Sequence, residues 1–196
     1  MTAYQARTLF FACLIILFPV TASAHTLGSV DGFASGFLHP LLGWDHIAAM
    51  VAVGLWGAFM GRTAMLLLPV VFPLAMGLGA ALGMSGLVFS GIEIGIAVSA
   101  IAIGSLIAFG VRMPLVPAAC MVGVFAVFHG FAHGSEVPAS SGPLIYTGGF
   151  MMATGLLHLA GISMGLLLTG TAGRAIVRTI GGMVTIAGLA FLGAAV

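Results

Sequence analysis

The segment His39-Pro-Leu-Leu-Gly-Trp-Asp45-His46 places two imidazoles and a carboxylate at the start of an apolar run long enough to cross a membrane. A carboxylate at the centre of a membrane helix costs roughly 2.5–3.5 kcal/mol on insertion scales, so such groups face an interior site rather than lipid. A second cluster, His129-Gly-Phe-Ala-His133-Gly-Ser-Glu136, stands at the end of another apolar run. Imidazoles at i and i+4 share one helix face, and a carboxylate at i+7 continues it. Nitrogen and carboxylate donors in this pattern suit a divalent transition metal, so the two clusters predict a polyhistidine metal site inside a membrane protein.

The individual residues carry different weights. His39 and His46 are seven apart, on one helix face but about 10 Å from each other, and share an ion only if Pro40 and Gly43 distort the first turns. Asp45 points about 100° away from His46 on a regular helix. It can ligate, orient a neighbouring imidazole or exchange protons. His158 lies near the middle of a later span, where it reads equally as a ligand or as a helix–helix hydrogen bonder. Glu136 reads as a ligand or as a solvated loop residue, Glu93 as an acid favoured by the start of a helix, and Met50 as packing. The metal centre expected from the concentration of ligands on two spans is His46, His129 and His133, assisted by Asp45 and by His39 or His25.

The elements that must hold these groups follow from composition. Of 196 residues 61% are hydrophobic and 5% charged, mean hydropathy is +1.28, and lysine is absent. These values exclude an ordinary soluble domain, and a net charge of +1 without basic clusters argues against a nucleic-acid partner. The bilayer is the expected surrounding. Arg7, the apolar stretch Leu9 to Val20 and Ala22-Ser23-Ala24 form a secretory signal, expected to be cleaved after Ala24. Residues 1–24 are then the signal peptide and 25–196 one membrane domain. Cleavage frees an amine beside the His25 imidazole, and together they can chelate an ion. The segment up to His39 is long enough, at well over about 20 Å extended, to fold back over the site. Removing Cys13 leaves Cys120 alone, about nine residues before His129 and therefore a packing residue rather than a ligand.

Six apolar spans follow, near 38–60, 64–88, 93–111, 114–133, 143–169 and 175–196, each close to the length a hydrocarbon core of about 30 Å requires. The fold class is therefore all-α, a bundle of six transmembrane helices. The GxxxG pairs Gly57/Gly61, Gly79/Gly83 and Gly161/Gly165 are read as packing positions rather than helix breaks. Arg62, Arg112, Arg174 and Arg178 lie in or beside alternate loops, which the positive-inside rule makes cytoplasmic. The expected location is a bacterial inner membrane, with both termini of the mature chain outside and the histidine clusters near the outer face.

The signal ending before His25, the His39-Pro…Gly-x-Asp45-His46 run, Glu93, His129-Gly-x-Ala-His133-Gly-x-Glu136 and Leu157-His158 together closely resemble the HupE/UreJ family over essentially the whole mature chain. The resemblance implies a secondary permease for Ni²⁺, or Co²⁺ in some members, associated with hydrogenase, urease or cobalamin metabolism. It implies that His39, Asp45, His46, His129, His133 and Glu136 are the functional residues. The metal is then cargo, no cofactor is permanently bound, and the protein is not an enzyme. An ATP-binding glycine loop is absent, so transport is passive, ion-coupled or driven by a partner. A homo-oligomer is left open. Donor chemistry alone does not separate Ni²⁺ from Co²⁺, Zn²⁺ or Cu²⁺. The competing classes are an intramembrane zinc hydrolase, which needs the same residue types, and a metal-sensing or delivery protein without transport.

Overall fold

A computed structural model describes residues 32–137 and 142–196. The expected signal, its cleavage site and the His25 chelate lie outside the described residues. Those that are described form α1 (Gly32–Leu42), α2 (Trp44–Met60), α3 (Arg62–Met84), α4 (Ile92–Phe109), α5 (Leu115–Ser135), α6 (Pro143–Leu167) and α7 (Gly170–Ala195), with no strand among them. Helices α3 to α7 are each long and apolar enough to cross a membrane, and α1 with α2, bent at a short break, passes the same test as a pair, which gives five spans or six if the pair is one span. The all-α membrane architecture is as the composition requires. Pro69 and Pro73 lie inside α3 without ending it, since neighbouring helices can absorb the lost hydrogen bonds.

The first span departs from the expected continuous helix over 38–60. It breaks at Gly43, and α1 meets α2 at 79°. The cause is local. Pro40 inside α1 has no N–H for the carbonyl of Gly36, which weakens the last turn. Gly43 then turns extended, at φ −91° and ψ 116°, and its carbonyl accepts the Ile47 N–H at 3.0 Å to start α2. Gly61 also departs from a pure packing role, because at φ 117° it separates α2 from α3.

The helices pack chiefly as pairs, α3 with α5, α4 with α7, and α6 with both α1 and α2. Lipid tails are as apolar as leucine, so contact between helices depends on close approach rather than on the hydrophobic effect. Glycine supplies it reciprocally: Gly54 of α2 lies against the His158 carbonyl of α6, and Gly161 of α6 against the Val51 carbonyl of α2. A Cβ at either position would clash with backbone. Trp56, Phe72, Met50 and Leu68 fill the interior, while Leu66, Leu74, Leu159 and Ile186 face outward, as a lipid-exposed surface demands. Cys120 is exposed on that surface instead of packed inside.

The arginines among the described residues, Arg62, Arg112, Arg174 and Arg178, collect at one end of the bundle. Arg112 lies over the Phe59 ring at 5.1 Å, Arg178 Nε donates to Ala108 O at 2.7 Å, and Arg174 and Arg178 line a cavity of about 440 Å³ with Leu55, Phe59 and Phe109. The break at Gly43, the start of α2 and the end of α5 belong to the opposite end.

Candidate metal centre

The break at Gly43 decides the geometry. His39 sits in the last turn of α1 and His46 in the first turn of α2, and the bend brings their ring centroids to 5.7 Å. His133, in the last turn of α5, completes the group at 4.8 Å from the His39 ring and 4.4 Å from the His46 ring. One ring nitrogen from each of the three lies within 4.8 Å of the others. The Nε2 atoms of His46 and His133 face each other directly. Two nitrogens bound to one ion at about 2.1 Å are separated by about 3.0 Å when cis and about 4.2 Å when trans. The three donor nitrogens lie close to that range.

The pocket is apolar except for its donors. Phe150 stands 4.3 Å from the His133 ring, and Tyr146 6.3 Å from that of His39. His46 and His133 are buried, whereas a quarter of the His39 side chain is exposed. The site therefore has one open edge. Glu136 stands there, 58% exposed, with Oε2 3.8 Å from His39 Nε2. That distance is too long for a hydrogen bond but places negative charge at the mouth. A cleft of about 20 Å³ between α3, α5 and α6 also reaches His133, space for about one water molecule.

Asp45 lies beside His46. Its Oδ1 lies 2.7 Å from His46 Nδ1, within ion-pair distance. With Nε2 turned toward His133, a proton on Nδ1 faces the carboxylate, which is the arrangement that raises the basicity of a metal-ligating imidazole.

The structure brings His39 into the cluster and leaves His129 beside it. His129 is one turn from His133 along α5, and its ring centroid is 5.7 Å from that of His46. Its Nε2 is 3.1 Å from Ser99 Oγ on α4. The single Ser99 hydroxyl proton goes to Ile96 O at 2.6 Å, so His129 Nε2 is the donor and its Nδ1 keeps a free lone pair. Of the expected ligands, the three whose nitrogens converge among the described residues are therefore His39, His46 and His133, with His129 adjacent. His158, buried on α6, is separate from this group. Ser99 and Phe72, which contacts both His129 and His158, escaped the sequence reading. The apolar run Ile92–Phe109 carries two hydroxyls, Ser99 and Ser105, and nothing in its pattern separates the one that meets His129.

The comparisons with known proteins bear on this architecture as a whole. The family model for HupE / UreJ protein matches residues 13–191 of the 196. The chain belongs to the HupE/UreJ family. It is 40% identical over 189 residues to Protein HupE of Rhizobium leguminosarum bv. viciae, an alignment covering 96% of this chain and 98% of that one. No solved structure matches it. The HupE/UreJ family is of transporter type and is associated with nickel and cobalt transport, and its apolar helices make this member an integral membrane protein.

Proposed function

We propose that the protein is a secondary permease that imports a divalent transition metal, Ni²⁺ or Co²⁺, through the His39/His46/His133 centre. The observation that carries this reading is the convergence of three imidazoles from α1, α2 and α5 at a helix break, with carboxylates beside them and apolar walls around them. Three neutral nitrogens hold a borderline metal firmly enough to replace part of its hydration shell. They leave coordination positions free, so the ion can be passed on.

The orientation rests on charge. Arg62, Arg112, Arg174 and Arg178 make their end cytoplasmic by the positive-inside rule, so the histidine end receives the ion from outside. Glu136 and Asp45 lower the potential at that mouth for a cation, while the arginine-lined cavity at the other end disfavours its retention. Asp45 fixes the His46 tautomer that ligates through Nε2. Membership of a family of transporter type favours a permease over hydrolysis or metal sensing.

Radioactive nickel uptake by cells or by proteoliposomes tests the reading. The wild-type protein should accumulate the metal, and His133→Ala, at equal abundance in the membrane, should reduce uptake at least about tenfold. Wild-type uptake by correctly inserted His46→Ala and His133→Ala variants would show that this centre is not the transport site.

A further inference from the structure

Two buried histidines outside the outer centre have one ring nitrogen engaged and the other without a partner. His129 donates through Nε2 to Ser99, leaving Nδ1 unpaired. His158 Nδ1 lies 2.8 Å from the carbonyl of Thr154, which can only accept, so Nδ1 carries the proton and Nε2 is left as a bare acceptor. The Thr154 hydroxyl, one turn away on the same face of α6, is also buried without a partner. Both imidazoles and Thr154 are completely buried. Most buried polar groups are paired, so this concentration of unused lone pairs in an apolar interior calls for a ligand.

Their placement indicates which ligand. From His46 of the outer centre the His129 ring is 5.7 Å away, the Phe72 ring 5.8 Å beyond His129, and the His158 ring 5.1 Å beyond Phe72. His158 lies 15 residues into α6, roughly 22 Å along the helix from its histidine-end terminus. The backbone of His158 rests on Gly54, and the next residue of α2, Leu55, lines the arginine-end cavity. The rings of His46, His129, Phe72 and His158 thus form a chain of successive contacts leading away from the outer centre, with Phe72 between the two inner histidines.

From this geometry we infer that His158 Nε2, assisted by the Thr154 hydroxyl, is a second, inner metal station, reached from the outer centre by way of His129 Nδ1 and past the Phe72 ring. This rests on the permease reading for its place in transport, but not for its ability to bind metal. The hydrogen bond to Thr154 O holds His158 in the tautomer that presents Nε2 as acceptor, so the station is prepared before an ion arrives. With so few donors it binds weakly, as an intermediate stop requires.

Exchanging the donor tests this directly. In full-length protein carrying Cys13→Ser and Cys120→Ser, His158→Cys puts a soft sulfur ligand at a fully buried position. Adding Cd²⁺ to the purified protein should produce thiolate-to-cadmium charge-transfer absorption that saturates near one equivalent. In proteoliposomes the same variant should shift the Cd²⁺-to-Ni²⁺ uptake ratio upward by about tenfold. His158→Leu should show no such absorption and transport Ni²⁺ at least about tenfold more slowly, while its outer centre binds Ni²⁺ with affinity within about threefold of wild type. A structural role for His158 would leave the metal preference of the cysteine variant unchanged. The inference is overturned if the cysteine variant binds Ni²⁺ at its outer centre yet gives no cadmium absorption, or if His158→Leu transports at the wild-type rate. Cadmium absorption in a protein whose wild type accumulates no metal would support the inner station and refute the permease reading. Uptake by the wild type without cadmium absorption in the variant would do the reverse.

Discussion

Gly43→Ala removes no metal donor and should nevertheless disable the outer centre. The backbone at Gly43, with φ −91° and ψ 116°, is comfortable for alanine, so the substitution brings no backbone strain. The added methyl is the perturbation. It would lie 2.7 Å from His46 Nδ1 and 3.0 Å from Asp45 Oδ1, where ordinary contact begins at 3.4 Å. The imidazole must therefore retreat by about 0.7 Å, and the carboxylate by about half that, in a site that tolerates roughly 0.5 Å of misplacement. His46 Nε2 faces His133 Nε2 directly, so displacing the His46 ring together with Asp45 misaligns a donor that the shared ion needs. Nickel affinity of the purified protein, measured by equilibrium dialysis or calorimetry, should fall about 10- to 100-fold. Losing glycine ahead of α2 costs the fold well under about 2 kcal/mol, so membrane abundance should hold. Gly155→Ala is the control, since nothing lies within 4 Å of its added methyl, and it should bind as wild type. Wild-type nickel affinity in Gly43→Ala would refute the reasoning that the break seats His46 and Asp45.

Asp45→Asn keeps the size of the side chain but removes the charge 2.7 Å from His46 Nδ1. It should weaken metal binding about 10- to 100-fold while three imidazoles remain bound, and an unchanged affinity would remove Asp45 from the account. Orientation is checked by single cysteines in a Cys13→Ser, Cys120→Ser background. Ser90→Cys, exposed between α3 and α4, should react with an impermeant thiol reagent from outside, and Thr171→Cys, exposed at the start of α7, only from inside. The opposite pattern would reverse the direction of transport.

Much of the bundle was legible in the sequence because long apolar runs in lipid leave little choice of structure. The spans expected near 114–133 and 143–169 differ by two residues or fewer at each end from Leu115–Ser135 and Pro143–Leu167. The shared face of His129 and His133 follows from helical spacing alone. What spacing could not reveal is the company each imidazole keeps. A seven-residue separation keeps His39 and His46 about 10 Å apart on an unbroken helix, and one extended residue, Gly43, reduces their rings to 5.7 Å. Periodicity carries no term for such a break. Pro40 and Gly43 marked where a distortion could occur, but not the 79° bend that resulted. The partition of His129 from the outer centre depends on Ser99 of another helix, a tertiary contact with no local signature. His158 looked equally like a hydrogen bonder and a ligand; its Nδ1 donates to Thr154 O, and its Nε2 has no hydrogen-bond partner.

The central claim is that His39, rather than His129, joins His46 and His133 around one ion. X-ray absorption of Ni²⁺ bound at one equivalent to the purified full-length protein tests it by counting imidazole scatterers. Three should be present in the wild type and in His129→Ala, and two in His39→Ala with a weakened affinity. Loss of an imidazole in His129→Ala, with three retained in His39→Ala, would contradict the account and restore the ligand set that helical spacing alone suggests.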